Sequence, residues 1–184
     1  SGTFTITKTL KIPSGKKIAG VKGKTILYFP EGVDTAIDIG ESNDITLEDF
    51  VVQGYSADVP LNTSLNPVAA GVIDSWKDAV DMVKIGEQTG LRINGGERIK
   101  IDGLEIKNFS GIGLHISRSG KSYRQAIQIL NNFISNNYCG IKTDLEAERS
   151  MYIANFITLN QIGFYMDSGT NMIDNCAFNA NRVG

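Results

Sequence analysis

The chain has 184 residues, of which 41% are hydrophobic and 21% are charged, a composition that excludes a disordered chain. A formal net charge of −2 argues against a general nucleic-acid binder, because such proteins carry a basic excess. No window approaches the roughly 18 consecutive apolar residues of a membrane-spanning helix, so we expect no membrane insertion.

The N-terminal segment, residues 1–32, predicts several short strands separated by turns. The predicted strands cover residues 3–6, 10–12, 16–20 and 24–29. Pro13-Ser14-Gly15 and Pro30-Glu31-Gly32 supply the turn signals between and after them. We interpret this segment as the first coils of a repetitive fold.

Residues 54–89 interrupt the pattern. This segment contains two prolines, a run over 76–83 with the length of one or two helical turns, and a candidate strand at 82–85. Insertions in solenoid proteins lie on one face, and that face often binds ligands. The only tryptophan, Trp76, is therefore a candidate substrate-binding residue, with an inert cap or a subunit contact as the alternative.

A glycine followed by alternating apolar and polar residues recurs through the second half of the chain. The intervals from Gly90 to Gly113, then to Gly140 and to Gly163 are 23, 27 and 23 residues. Period-two alternation predicts short half-buried strands, with the residue after each glycine pointing inward. The predicted inward residues are Leu91, Leu114, Ile141 and Phe164. The outward residues, counting an earlier copy at Ala36, are Asp38, Arg92, His115, Lys142 and Tyr165.

A second block predicts a sharp bend between two short strands. Its copies are Leu47-Glu48-Asp49-Phe50, Ile101-Asp102-Gly103-Leu104, Leu130-Asn131-Asn132-Phe133, Ile153-Ala154-Asn155-Phe156 and Ile173-Asp174-Asn175-Cys176. The third position holds residue types that tolerate a left-handed backbone, so we place the bend there. Stacked coils would align these residues and let asparagine amides bond along the stack. The fourth position would then form a core column of Leu104, Phe133, Phe156 and Cys176.

Together the two blocks predict an all-β fold, a right-handed single-stranded parallel β-helix of about 6 to 7 coils. Coils stacked about 4.8 Å apart would pair every strand in parallel with its neighbours. We assign residues 1–184 to one domain, with first coils at 1–32, an insertion at 54–89 and regular coils at 90–184. Because an open solenoid end exposes core and backbone, we expect a fragment of a longer chain or a covering partner.

The opening motif resembles that of the pectate-lyase-like superfamily. Thr3-Phe4-Thr5-Ile6 is followed by Leu10-Lys11-Ile12-Pro13-Ser14-Gly15 and a strand that ends at Gly20, and the later asparagine-rich coils are similar to the same superfamily. Its members include secreted pectate lyases, polysaccharide hydrolases and epimerases, and trimeric bacteriophage tailspikes, which this chain resembles most. The resemblance implies a cell-surface or extracellular polysaccharide as ligand, a homotrimer, and a location on the virion tail or, alternatively, secretion.

Asp144 and Asp167 are the candidate catalytic residues. They occupy equivalent positions on adjacent coils, in a second outward stripe formed by the fourth residue after each glycine. Two carboxylates about 5 Å apart match a retaining glycosidase pair, and their proximity would keep one of them protonated. The same pair could instead hold Ca²⁺, or simply accept hydrogen bonds from turn backbone.

The outward cations and tyrosine are the candidate substrate-binding residues. Arg92, His115 and Lys142 would bind anionic sugar groups, and Tyr165 would stack on a sugar ring. The alternative is a solvated polar face without a ligand. His115 is the only histidine of the chain, so any serine–histidine–aspartate or zinc site would have to be built on it.

Three functions follow from these residues and the resemblance. The first is carbohydrate binding, with polysaccharide degradation by a hydrolase or lyase, in a phage tailspike or receptor-binding protein. The second is a secreted bacterial polysaccharide lyase or epimerase that uses Ca²⁺. The third is a non-catalytic structural or adhesin module.

Overall fold

The computed structural model describes residues 1–56, 88–118 and 127–181. All helices and strands assigned in these ranges are strands, so the regular secondary structure is entirely β. These ranges contain no helix that is long and apolar enough to cross a membrane. The strands are β1 Gly2–Thr5, β2 Leu10–Lys11, β3 Lys17–Ala19, β4 Thr25–Tyr28, β5 Thr35–Gly40, β6 Ile45–Glu48, β7 Val51–Gln53, β8 Thr89–Asn94, β9 Ile99–Asp102, β10 Glu105–Lys107, β11 Ile112–Arg118, β12 Ile127–Leu130, β13 Phe133–Ser135, β14 Cys139–Glu146, β15 Ser150–Ile153, β16 Phe156–Thr158, β17 Ile162–Met166, β18 Met172–Asp174 and β19 Ala177–Asn179.

Three parallel sheets form because each strand pairs with the strand three places along the chain. Sheet A contains β1, β4, β7, β10, β13, β16 and β19. Sheet B contains β2, β5, β8, β11, β14 and β17, and sheet C contains β3, β6, β9, β12, β15 and β18. One turn of the chain therefore contributes one strand to each sheet. The predicted parallel β-solenoid is confirmed, with six turns from β1 to β18.

The inner face of sheet B carries the apolar column that the glycine-led blocks predicted. Leu91, Leu114 and Ile141 lie side by side in register and are fully buried. Phe164 continues the column on β17. Burying one such side chain contributes about 1.5–3 kcal/mol, but only because neighbouring coils cover it above and below.

From β6 onward, every connection from sheet C to sheet A is a sharp bend at a left-handed residue. Asp49, Gly103 and Asn175 have φ values of 57°, 67° and 49°, as predicted. In the two coils between Gly103 and Asn175, however, the left-handed residues are Asn131 and Ala154, at 55° and 54°. The bend in these coils lies one residue earlier than the sequence pattern indicated.

The one-residue difference makes part of the predicted core column wrong. Phe133 and Phe156 are 41% and 37% exposed, and their rings stack on the outside of sheet A with centroids 5.4 Å apart. Asn132 and Asn155 take the inward places instead and are almost completely buried. Because side chains alternate along a strand, moving the bend by one residue exchanges the inner and outer faces.

Two columns of asparagine bond along the stack inside the solenoid. Asn132 Nδ2 donates to Asn155 Oδ1 at 2.9 Å. In the other column, Asn137 Nδ2 donates to Asn160 Oδ1 at 3.1 Å, and Asn160 Nδ2 donates to Asn181 Oδ1 at 3.0 Å. Each of these amides also donates to a backbone carbonyl of the preceding coil. The buried amides are thereby satisfied, as burial of polar groups requires.

Residues 57–87, most of the predicted insertion between β7 and β8, lie outside the described residues. The stack itself continues, since β8 pairs directly with β5 and β7 with β10. Gln88, the first described residue after this segment, is anchored to the preceding coil. Its buried Nε2 donates to the carbonyls of Pro30 at 3.2 Å and Val33 at 3.0 Å. Trp76, the helical turns at 76–83 and the candidate strand at 82–85 lie outside the described residues.

Candidate functional site

The outer face of sheet B contains the predicted polar column. Backbone register pairs Asp38 with Arg92, Arg92 with His115, His115 with Lys142, and Lys142 with Tyr165. The structure therefore brings together side chains that are far apart in sequence, one per coil. We call these five residues the charged column.

Arg92 and Asp38 form a two-point ion pair at one end of the column. The guanidinium donates from Nη2 to Asp38 Oδ2 at 2.8 Å and from Nε to Asp38 Oδ1 at 3.3 Å. Hydrogen bonding to Asp38 raises the pKa of Arg92 further, although burial opposes the shift. The two-point contact holds the guanidinium plane in place.

Asp144 bridges the next two members of the column. Its Oδ2 lies 2.8 Å from His115 Nε2, and its Oδ1 accepts from Lys142 Nζ at 2.7 Å. Both carboxylate oxygens are thus engaged by side chains of the charged column. A sequence-predicted catalytic residue and two sequence-predicted binding residues form one hydrogen-bonded group.

Burial and charge set the protonation states of this group. Burial raises the pKa of Asp144, but hydrogen bonds from Lys142 and His115 outweigh it, so the pKa lies below its ordinary value. Burial lowers the pKa of His115, and the nearby cations Lys142 and Arg92 add to this effect, while Asp144 partly opposes it. At neutral pH the pair is a carboxylate and a neutral imidazole, with the Nε2 hydrogen donated to Asp144. Nδ1 is then a hydrogen-bond acceptor, and within the described residues it has no partner.

The second predicted stripe is broken by β-bulges. The register shifts between Ile116 and Arg118 on both sides of β11, so that Arg118 pairs with Asn94 and with Glu146. Ser117 Oγ donates to Asn94 Oδ1 at 3.1 Å, and these two stripe positions do meet. A bulge adds a residue to one strand and re-aims its side chains, so the stripe is not the regular ladder that equal spacing predicted.

The second predicted catalytic residue, Asp167, is not part of the hydrogen-bonded group. It is exposed, its amide donates to the Thr143 carbonyl at 3.1 Å, and no hydrogen bond joins it to Asp144 in the described structure. The lowered pKa of Asp144 makes this residue an ionised carboxylate rather than a protonated acid at neutral pH. Among residues 1–56, 88–118 and 127–181, no three His, Cys, Asp or Glu side chains form a group that could hold a metal ion.

Two features of the outer surface were not predicted from the sequence. The first is the exposed Phe133–Phe156 stack, which a strict inward–outward alternation counted back from the buried Ile134 and Ile157 would have placed outside. The second is the ion pair between Arg118 and Glu41 beside the charged column. The repeat holds a signal for this pair, because Glu41 and Arg118 each stand five positions after the residue that opens their block, Ala36 or Gly113, with Gly95 of the intervening coil between them.

The comparisons with known proteins give one match. A family model described as a right-handed beta helix region matches residues 77–184, more than half of the chain. The matched range includes β8 to β19 and four of the five residues of the charged column. No curated protein and no solved structure matches the chain.

Proposed function

Because the chain belongs to the right-handed β-helix family, we propose that it is a carbohydrate-binding protein whose ligand lies along the charged column. One observation carries this proposal: Asp38, Arg92, His115, Lys142 and Tyr165 stand in register on successive strands of sheet B. Strands in a sheet are about 4.8 Å apart. The column therefore repeats polar groups at an interval comparable to one sugar unit of an extended chain.

The chemistry of the column supports a saccharide ligand. Carboxylates and a neutral imidazole accept hydrogen bonds, a guanidinium and an ammonium donate them, and sugar hydroxyls do both. Tyr165 adds an aromatic ring at one end, which can pack against the apolar face of a sugar. These groups are held by ion pairs and by strand register, so little side-chain entropy is lost on binding.

The finer assignment rests on the resemblance at the N-terminal motif. We propose that the chain is the receptor-binding part of a phage tailspike, that it acts on a cell-surface polysaccharide, and that it assembles as a homotrimer. Light scattering of the purified chain tests the assembly, since a trimer favours a tailspike and a monomer favours a secreted protein.

Tyr165→Ala tests the binding site, with Tyr28→Ala as the matched control on the outer face of sheet A. On the saccharide selected from a glycan array, we expect Tyr165→Ala to weaken binding about tenfold, the equivalent of about 1.4 kcal/mol of stacking. Tyr28→Ala should stay within about twofold in the same calorimetric titration. Equal losses in two folded variants, or no saccharide bound on the array, would contradict the proposal.

Processing of the bound polysaccharide is a second candidate, favoured by the contact between His115 and Asp144. A neutral imidazole oriented by a carboxylate is the arrangement of a general base. Product analysis with and without a chelator separates the mechanisms: a Ca²⁺-dependent lyase or epimerase loses activity, whereas a hydrolase keeps it. A chain that binds saccharide without any turnover is instead an adhesin or structural module.

A further inference from the structure

The main cations of the charged column are already paired with carboxylates of the same face. Arg92 holds Asp38 through two hydrogen bonds, and Lys142 holds Asp144 at 2.7 Å. With His115 neutral, the charges of these residues cancel. Among the described residues, an anionic ligand would find no excess positive charge at the centre of the face.

The other cations near the column in residues 1–56, 88–118 and 127–181 are either paired with a carboxylate or lie at its margin. Arg118, beside the column, is paired with Glu41. Lys11, on the strand before Asp38, is exposed and in register with that carboxylate rather than with His115. Neither residue adds an unpaired cation next to the imidazole.

Taking a cation away from its partner would be costly. The Asp38 side chain is only 14% exposed, so an anion that captured Arg92 would leave a partly buried carboxylate without its counter-charge. Breaking such a pair is more unfavourable than a surface ion pair is favourable. The intramolecular carboxylates therefore compete with any ligand carboxylate or sulfate.

The donors and acceptors of this face that the ion pairs leave unused are suited to hydrogen bonds with the hydroxyl groups of a ligand. The paired carboxylate oxygens retain lone pairs, and the guanidinium and ammonium retain N–H groups beyond those used in the ion pairs. His115 Nδ1 is an acceptor with no partner in the described ranges. A hydroxyl can donate to Nδ1 and accept from Lys142 or Arg92 without disturbing either ion pair.

We infer that the saccharide recognised by the charged column is neutral, and that His115 selects it by accepting a hydrogen bond from a sugar hydroxyl at Nδ1. This inference rests on the proposed function and names its ligand class. It replaces the expectation that Arg92, His115 and Lys142 bind anionic sugar groups.

The test compares a neutral oligosaccharide with the same oligosaccharide oxidised at C6 to the uronate. We expect the neutral form to bind at least about tenfold more tightly, equal to about 1.4 kcal/mol. Between about 50 and 300 mM NaCl its affinity should change less than about twofold, because no net charge is neutralised. Tighter binding of the uronate, or a steep loss of affinity with salt, overturns the inference while leaving carbohydrate binding intact. No binding of either form or of any array member overturns the proposed function as well.

Two substitutions test the role of His115. His115→Leu removes the acceptor and should weaken binding of the neutral oligosaccharide about tenfold, whereas His115→Gln keeps an amide acceptor and should retain most of the affinity. In the native chain, affinity should fall as the imidazole is protonated, because Nδ1 then becomes a donor. The charged groups facing this ring among the described residues are Arg92 on β8 and Lys142 and Asp144 on β14. A pH-independent affinity, or equal binding by the Leu and Gln variants, overturns the assignment.

Discussion

At the scale of single residues, Asn131 and Asn132 are adjacent and chemically identical but lie in opposite environments. Asn131 is exposed, has a left-handed backbone and donates to Asp102 at the surface at 2.8 Å. Asn132 is buried, accepts from the Leu104 amide at 2.9 Å and donates to Asn155. One asparagine serves the backbone conformation, and the other satisfies polar groups inside the solenoid.

This difference predicts unequal effects on stability. Asn132→Ala leaves the buried Leu104 amide without an acceptor, so we expect the free energy of unfolding to fall by about 2–3 kcal/mol. Asn131→Gly keeps a residue suited to positive φ and should cost less than about 1 kcal/mol. Urea denaturation of both variants checks the prediction, and a larger effect at Asn131 would contradict the observed bend register.

The group formed by His115, Asp144 and Lys142 predicts a pH dependence of stability. The pKa of His115 is lowered on folding, chiefly by burial. The contribution of His115 to the free energy of unfolding is therefore complete above about pH 6.5 and is lost as the pH falls through the folded pKa. The pKa of Asp144 is also lowered, because hydrogen bonds from Lys142 and His115 outweigh the opposing effect of burial. Its contribution is complete above about pH 4 and is lost at lower pH, through its own folded pKa.

Urea midpoints measured from about pH 8 down to about pH 2.5 separate the two contributions. His115→Gln should remove the loss that begins near pH 6.5 and leave the loss at more acid pH. Parallel profiles for the native chain and the variant over this whole range would show that His115 does not titrate on unfolding.

At the scale of elements, each bend between sheets C and A depends on one left-handed residue. Of the five bends from β6 onward, four use Asp, Gly or Asn, which tolerate this conformation, but the fifth uses Ala154 at φ 54°. A left-handed alanine costs about 1–2 kcal/mol, because its Cβ approaches the following carbonyl oxygen. The fold accepts this cost because the neighbouring strands are held by their ladders and by Asn155.

Substitutions at two bends should therefore change stability in opposite directions. Ala154→Gly should raise the free energy of unfolding by about 0.5–1 kcal/mol through relief of this strain. Gly103→Ala should lower it by about 1–2 kcal/mol, because the backbone is left-handed and the new Cβ would lie 2.5 Å from Asp49 Oδ1. Thermal and urea unfolding of the two variants measure both effects, and a loss of stability in Ala154→Gly would show that the bend is not strained.

At the scale of the whole molecule, each coil is stabilised by its neighbours rather than by itself. The strand β9, for example, pairs with both β6 and β12, and its Ile99 and Ile101 are almost completely buried. The strand β18 pairs with β15 among the described strands, and its residues are exposed. Stability in such a stack is close to a sum of coil terms and nearest-neighbour terms.

This arrangement predicts a gradient of hydrogen exchange along the solenoid. In the 184-residue chain, amides of β9 should exchange at least about a hundredfold more slowly than those of β18, because local opening is easiest where few contacts must break. Mass spectrometry of exchanged peptides from the two strands makes the comparison. Equal protection would indicate that the stack opens only as a single cooperative unit.

The repeat and the faces of sheet B could be predicted from the sequence. The glycine-led blocks predicted an inward column of Leu91, Leu114 and Ile141. They also predicted an outward column of Arg92, His115 and Lys142. Both columns are in register in the structure. The signal was local, because period-two alternation after a glycine marks each strand by itself. The bend register was wrong for Asn132 and Asn155. At 131–132 two asparagines fit the left-handed position equally well, and at 154–155 local preference favours the asparagine, although pairing of the following strand places Ala154 there.

The sequence by itself determined that this chain winds into parallel coils, because turn residues and alternation act within a few positions of the chain. Tertiary structure alone decided which polar groups hydrogen-bond: Asp144 bonds to His115 and Lys142, and not to Asp167. The reason is that these contacts depend on strand register between coils. A bulge or a shift of one residue, invisible in the alternation pattern, turns a side chain toward a different neighbour.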